Sequence, residues 1–446
     1  MTTSIEETPV DKHHHYHFGL RKALARGARK TFKAILPTWG HKRPHTPRRN
    51  SFGRQSRPSS ANGEIKVEPI PNCDMILDLK TLKNPEVLQI KVTELIRTLI
   101  PSWSHAQVSD VVLHRISGAL TNCVFLVEGP RKQNKPEGNV QKVLLRIYGE
   151  GVDQLFVREK ELCWLSRLSS LGIGPKMLGL FRNGRLEEYI DSVTLTKTDI
   201  RDPSVSRHIA RRLMQLHTVV SIYPPEEDFS PEMWLSIDKW YPLAIKAAAL
   251  VAQRDPEARD RLEAFDLLKL GDEIDAFQDA LSELEAPIVF AHNDTQYGNI
   301  LRSKKTNELI VIDFEYSGYN YRAYDIANHF CEWTADYHSD EPHVLHFDQY
   351  PTKEEQLNFL SAYIEAEKNF SSVSETESPD EERVENLYKE VNRFAPASHL
   401  LWGLWGLVQA SQSGIEFDYF KYGIQRLEQF RILRDQLFPL HTKIKV

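Results

Sequence analysis

Two short blocks hold the residues whose types and spacing can do chemistry. The first is Ala291-His292-Asn293-Asp294-Thr295-Gln296-Tyr297-Gly298-Asn299, directly after a short apolar run; the second is Ile310-Val311-Ile312-Asp313-Phe314-Glu315. Asp294 stands five residues before Asn299 and nineteen before a strand-borne Asp313. That spacing suits phosphoryl transfer from a nucleoside triphosphate. Such a reaction needs a carboxylate to orient the attacking hydroxyl and take its proton, and hard oxygen ligands for Mg2+ against the phosphates. Asp294 is assigned as the base, with Asn299 and Asp313 as metal ligands. His292 is read as a structural hydrogen bonder. An acidic helix–strand junction without function would not explain both halves at compatible spacing. The loop carries His-Asn-Asp where protein kinases have His-Arg-Asp, and the second block reads Asp-Phe-Glu instead of Asp-Phe-Gly. Both departures point from protein substrates towards small molecules with a hydroxyl.

The elements that must hold these blocks change character along the chain. Helical spacing marks 86–99, and Ser109–Val127 alternates in two strand-like runs around Ser117-Gly118-Ala119. Strands are predicted at 142–148 and 185–190, with a helix over 156–171 between them. Helices then dominate, at 206–217, 234–252, 261–285, 354–370 and 384–413, with short strands only near 288–290 and 309–314. Ser371–Glu385, acidic and Ser-rich, reads as a surface loop. This order predicts an α+β, bilobal, protein-kinase-like fold: a β-rich N-lobe over 71–190 and a helical C-lobe over 191–446.

The 446 residues, 41% hydrophobic and 26% charged, suffice for one large domain or two lobes. Between Lys12 and Arg57 there are 13 Lys or Arg and no acid, against a whole-chain net charge of −6. The picture is a basic tail on an acidic body. An acidic body argues against nucleic acid and suits a cationic substrate. Residues 1–70 are expected to be largely disordered. Phe18, Leu20, Leu24, Ala28, Phe32, Ile35 and Leu36 recur at roughly helical spacing among basic residues. A weak contact with an anionic membrane surface and a solvated tail are the two readings, the second preferred. His13–His15 read as a solvated tract, and Arg48-Arg49-Asn50-Ser51 has the form of a basophilic phosphorylation site. Four cysteines without a CxxC pair, no apolar run of transmembrane length and no signal-peptide pattern predict a cytoplasmic protein.

The block from Asp313 to Trp333 resembles the signature of the choline/ethanolamine kinase family almost throughout. So do Trp402–Ala410, Leu144–Gly149 and Ile173-Gly174-Pro175-Lys176. The resemblance runs over about 85–435, and the basic extension with Ile116–Asn122 is most similar to the fungal branch. It implies an ATP-dependent choline kinase that makes phosphocholine and ADP, the first step of the CDP-choline route to phosphatidylcholine. An ethanolamine or dual-specificity kinase is the near alternative. Remoter ones are an inactive choline- or nucleotide-binding scaffold and an aminoglycoside phosphotransferase. The resemblance implies a phosphate-covering loop at Ser117, Gly118, Ala119, Leu120, Thr121 and Asn122. It places Arg146 on the phosphates with Glu159 as its partner, and leaves Arg158 and Glu161 on a solvated face. It makes Glu188, Tyr189 and Ile190 the adenine hinge, lines the site with Gln296, and gives Asp325 a bracing role. For the amine it implies an aromatic cage of Trp333 or Tyr337 with Trp402, Trp405 and Tyr422, and Glu332 as the acid. On spacing alone Trp402 and Trp405 would be core; Trp234 and Trp240 are left there. Homodimers are usual in the family.

Overall fold

In the computed structural model, strict alternation builds the first sheet. Strand β1 (Asn72–Cys73) and helix α1 (Pro85–Leu99) precede β2 (Val112–Gly118), β3 (Asn122–Arg131) and β4 (Val140–Tyr148). Cys123, Phe125 and Val127 on β3 and Val143, Leu145 and Ile147 on β4 are buried, and the residues between them are half-exposed. One face therefore packs on Val92, Leu95, Ile96 and Leu99 of α1. Asn84 caps α1, its side chain accepting from Glu86 N at 2.9 Å, with Pro85 at the first helical position. Helix α2 (Arg158–Ser170) leads to β5 (Met177–Phe181) and β6 (Gly184–Glu188), and the sheet runs β1-β5-β6-β4-β3-β2. Only β1 and β5 are parallel neighbours. The structure describes residues 69–78, 84–118, 122–131, 140–148, 158–370, 380–412 and 417–438. The N-terminal segment to residue 68, loop residues Ala119, Leu120 and Thr121, and 371–379 lie outside the described residues.

After β7 (Ser192–Thr194) the chain is mainly helical: α3 (Lys197–Arg201), α4 (Pro203–His217), α5 (Val219–Ile222), α6 (Glu232–Ala252), α7 (Pro256–Phe265) and α8 (Leu270–Ser282). The single helix expected over 261–285 is two helices, because Asp266 turns left-handed (φ 52°) and stops α7. Strands β8 (Ile288–Ala291), β9 (Ile300–Ser303), β10 (Leu309–Val311) and β11 (Gly318–Tyr321) follow. They pair as β11-β8 and β10-β9-β7. Helices α9 (Arg322–Cys331), α10 (Lys353–Phe370), α11 (Asp380–Ala410) and α12 (Tyr419–Leu437) complete the fold.

Two packing features position the site. Glu161, Trp164, Leu165 and Leu168 form the buried stripe of α2. Trp164 meets Phe290 of β8 at 4.1 Å between ring centroids and Tyr319 of β11 at 5.4 Å, which fastens α2 to the strand that leads into the catalytic loop. Helices α11 and α12 approach to backbone contact. A Cβ on Gly406 would lie 2.9 Å from Gly423 Cα, and one on Gly423 would lie 2.9 Å from Gly403 O. Any larger residue would force the helices apart. No helix among the described residues is long and apolar enough to cross a membrane.

Candidate active site

The catalytic loop leaves β8 through a left-handed Asn293 (φ 67°). Asparagine tolerates that backbone better than most residues, and its surroundings hold it there. Its Nδ2 donates to Tyr316 O at 2.9 Å, and its Oδ1 accepts from Asn320 Nδ2 at 2.8 Å. Asp325, fully buried on α9, accepts from His292 N at 2.9 Å and Asn293 N at 2.7 Å. His217 Nε2 lies 2.9 Å from the same carboxylate, and Tyr363 OH lies 2.6 Å from His217 Nδ1. Burial alone would raise the Asp325 pKa, but His217 and the loop N–H of His292 hold the carboxyl below its ordinary range. Asp325 thus braces the loop without facing substrate.

His292 is placed as a structural residue. Its Nε2 is 3.0 Å from Ile312 O, a pure acceptor, and its Nδ1 accepts from Asp294 N at 3.2 Å. The ring is therefore neutral, with its proton on Nε2 and both nitrogens committed. Burial lowers its pKa further.

Asp294 and Asn299 are brought together. Asn299 Nδ2 donates to Asp294 Oδ2 at 2.8 Å and to Asp294 O at 2.9 Å. Burial drives the Asp294 carboxyl well above the ordinary carboxylate range, and the charges of Glu332, Asp313 and Glu315 push the same way. Ile312 N donates to Asn299 O at 2.9 Å, which ties the two blocks together. Asp313 takes a left-handed backbone (φ 66°), and its Oδ1 is buried without a hydrogen-bond partner. Gln296 caps its own turn, its Oε1 accepting from Gly298 N at 2.7 Å.

Arg146 lies on the face of β4 opposite the core, with Nη1 3.9 Å from Asp313 Oδ2. Its expected partner is corrected: Glu159 is exposed at the start of α2, while Glu161, expected on the solvated face, is buried. Residues two apart on a helix point about 200° away from each other, so only one can face the sheet. Glu161 accepts from Arg185 Nη1 at 2.7 Å, and Arg185 Nε also donates to Glu187. Arg185 thus holds both carboxylates beside Arg146, and neither Arg185 nor Glu187 was expected here. Phase would have found Glu161, since it shares a stripe with Trp164, Leu165 and Leu168.

Strand backbones place Ser117 and Gly118 opposite Val124 and Cys123, and Asn122 opposite Tyr148 on the Arg146 strand. Glu188 closes β6, its N donating to Lys176 O at 2.8 Å, and Tyr189 and Ile190 connect to β7. Glu188 and Ile190 also line a 290 Å³ cavity with Ile173, Gly174, Leu216 and Val311, which contains none of the catalytic residues.

The aromatic residues gather on α11 and α12. Trp402 and Trp405 meet edge to face at 5.5 Å, and Trp405 meets Tyr422 at 6.3 Å. Trp402 Nε1 donates to Asn328 Oδ1 at 2.8 Å, and Trp405 Nε1 to Tyr316 OH at 3.1 Å. Glu332 is buried beside them. Its Oε2 accepts from Tyr337 OH at 2.6 Å and its Oε1 from Arg426 Nη2 at 2.6 Å. Of the two cage candidates, Tyr337 joins this group and Trp333 does not. Trp333 is buried beneath Arg201, whose guanidinium carbon is 4.9 Å from the ring, and its Nε1 donates to His329 Nε2. Trp234 and Trp240 are core. Tyr316 and Arg426 were missed: a lone Tyr in a signature and a lone Arg on a helix carry no spacing signal.

The strand expected over 309–314 ends at Val311, because Asp313 turns left-handed; an Asp–Asn loop pair, this Asp two residues past β10 and an Arg on the facing sheet define a phosphotransferase of the protein-kinase-like fold, acting on an alcohol. Residues 113–431 match the model of the choline/ethanolamine kinase family. The chain is 36% identical over 362 residues to a probable choline kinase 2 of Arabidopsis thaliana, covering 80% of this chain and 97% of that protein. It is 34% identical over 349 residues to a choline/ethanolamine kinase of Homo sapiens, covering 76% and 85%. Two solved structures are similar at 28% identity. One is a Plasmodium vivax ethanolamine kinase (TM-score 0.63, covering 79% of this chain and 91% of that one). The other is a Cryptosporidium parvum choline kinase (TM-score 0.62, covering 79% and 96%). The chain belongs to the choline/ethanolamine kinase family.

Proposed function

We propose that this protein is a choline kinase that moves the γ-phosphoryl group of ATP onto the hydroxyl of choline, in the cytosol, as the first step of the CDP-choline route. The observation that carries the choice of amine is the aromatic cluster of Trp402, Trp405 and Tyr422, next to a Glu332 whose two oxygens each already accept a bond, from Tyr337 and Arg426. A quaternary ammonium needs aromatic faces and no hydrogen-bond acceptor. A primary ammonium needs acceptors, which disfavours the ethanolamine reading.

Asn299 holds Asp294 Oδ2, which leaves Oδ1 to orient the hydroxyl. The hydroxyl oxygen bonds to the γ-phosphorus as the bond to the β,γ-bridging oxygen breaks. The proton passes to Asp294 and ADP leaves. A carboxyl raised by burial is a better base near neutrality than an ordinary one.

The donor set fits Mg2+. The unpartnered Asp313 Oδ1 and the side-chain Oδ1 of Asn299, whose NH2 group is spent on Asp294, would hold it. No set of three His, Cys, Asp or Glu among the described residues could hold a metal alone. Mg2+ shared with phosphates needs only one or two carboxylates. When bound, the ion supplies charge neutralisation on the phosphates. Arg146 grips the phosphates, and the backbone of Glu188–Ile190 meets adenine.

The test is steady-state kcat/KM for choline and ethanolamine with ATP, choline being preferred. Asp294→Asn should lower kcat by roughly 10²–10⁴-fold. Unchanged turnover would sink the mechanism.

A further inference from the structure

Resting on that reading, we propose that Arg426 is the positioning residue that sets amine preference. By claiming Glu332 it turns the pocket into a neutral aromatic box, which suits an amine without N–H groups.

Arg426 is fully buried on α12, one turn after Tyr422. Its Nη2 donates to Glu332 Oε1 at 2.6 Å, and its guanidinium carbon lies 5.2 Å from the Tyr422 ring. Its Nε and Nη1 are buried with no hydrogen-bond partner. A guanidinium serving packing alone would be expected to engage its fork fully, because unmade buried bonds are costly. This one makes a single hydrogen bond, to Glu332. Tyr337 OH takes the other oxygen at 2.6 Å. His399, the other basic group there, is held neutral by burial and by Arg426 itself.

The consequence differs between amines. The positive charge of Arg426 opposes any cationic substrate equally, so it does not discriminate. Hydrogen bonding does. A primary ammonium gives up water around three N–H groups and meets a carboxylate whose two oxygens already accept short, charge-assisted bonds. A trimethylated ammonium has no such groups to satisfy and loses only to the aromatic faces that receive it. Glu332 is therefore the latent ethanolamine site, and Arg426, by occupying one of its acceptor positions, weakens it for an ammonium N–H.

The test measures kcat and KM for choline and ethanolamine, KM for ATP and the thermal midpoint in four proteins: unmodified, Arg426→Met, Tyr337→Phe and the double variant Arg426→Met/Glu332→Gln. Arg426→Met should lower the choline-to-ethanolamine kcat/KM ratio about tenfold, the worth of one charge-assisted hydrogen bond, mainly through the ethanolamine KM. The double variant should restore the ratio, because a neutral amide oxygen accepts an ammonium N–H much more weakly than a carboxylate does. A folded Arg426→Met protein with an unchanged ratio, or a double variant that keeps the shift, overturns the proposal. If Arg426→Met does not fold, Tyr337→Phe decides: it frees Oε2 with Arg426 in place, and the ratio should fall in the same direction. A constant or rising ratio there also overturns it. An unmodified protein that phosphorylates neither amine overturns the functional reading and this proposal with it; choline turnover with an unmoved ratio overturns the proposal alone.

Discussion

Each end of the site contains a buried arginine bound to buried glutamate, and the two ends use it in opposite ways. In the sheet, Arg185 takes both Glu161 and Glu187, so Arg146 beside them is left turned to Asp313 with its Nε unpartnered. In the helical part, Arg426 takes Glu332 and Tyr337 takes what remains. The first arrangement keeps a cation in reserve, as an anionic triphosphate requires. The second leaves no free carboxylate, as a methylated cation permits. The same residue types therefore give an anion site or a neutral box according to which partner is left over.

Removing the shared clamp should have the largest effect. Arg185→Met strands Glu161 and Glu187 without their cation, and breaking a buried pair costs roughly 3–5 kcal/mol. The denaturation midpoint should fall accordingly, and KM for ATP should rise as the freed Glu187 draws on Arg146. A midpoint within error of the unmodified protein would mean the cluster is not what holds this face.

Next comes the reserve cation itself. Arg146→Met should raise KM for ATP roughly ten- to a hundredfold, the range of a hydrogen bond to a charged group, and leave KM for choline nearly unchanged. A change shared equally by the two substrates would erase the distinction between the ends. The smallest effect belongs to one wall of the box. Trp405→Leu keeps apolar volume but removes a π face, so KM for choline should rise by roughly tenfold with KM for ATP constant. The loss should be smaller for ethanolamine, and an equal loss would mean that the ring only fills space.

The grouping of Asp294, Asn299 and Asp313 was legible because phosphoryl transfer, the proposed chemistry, dictates both types and spacing. Asp294, Asn299 and Asp313 stand together as that chemistry requires. Most helices were legible from periodicity, and α7 and α8 were run together because nothing in the composition marks Asp266 as left-handed. Among the strands, β1, β5, β7, β9 and β11 were missed: they are short, and tertiary pairing more than local pattern makes them. The charge clamps were not legible. Glu159 was preferred to Glu161 by family position, against the helical phase that buries Glu161. Trp333 could not be separated from Tyr337, because α9 ends at Cys331 and Glu332–Thr334 form a tight 3-10 turn. That change of helical pitch resets which side chain faces the cage.

The glycine crossing of α11 and α12 has a consequence for how the cage measures its guest. Trp402 and Trp405 flank Gly403 and Gly406, and Tyr422 adjoins Gly423, so the gap between opposing walls is set by two main chains in contact. Leu427 packs on Gly403, while at Gly406 and Gly423 main chain meets main chain. On the proposed reading the aromatic cluster would act as a fixed gauge, giving little room to a bulkier head group.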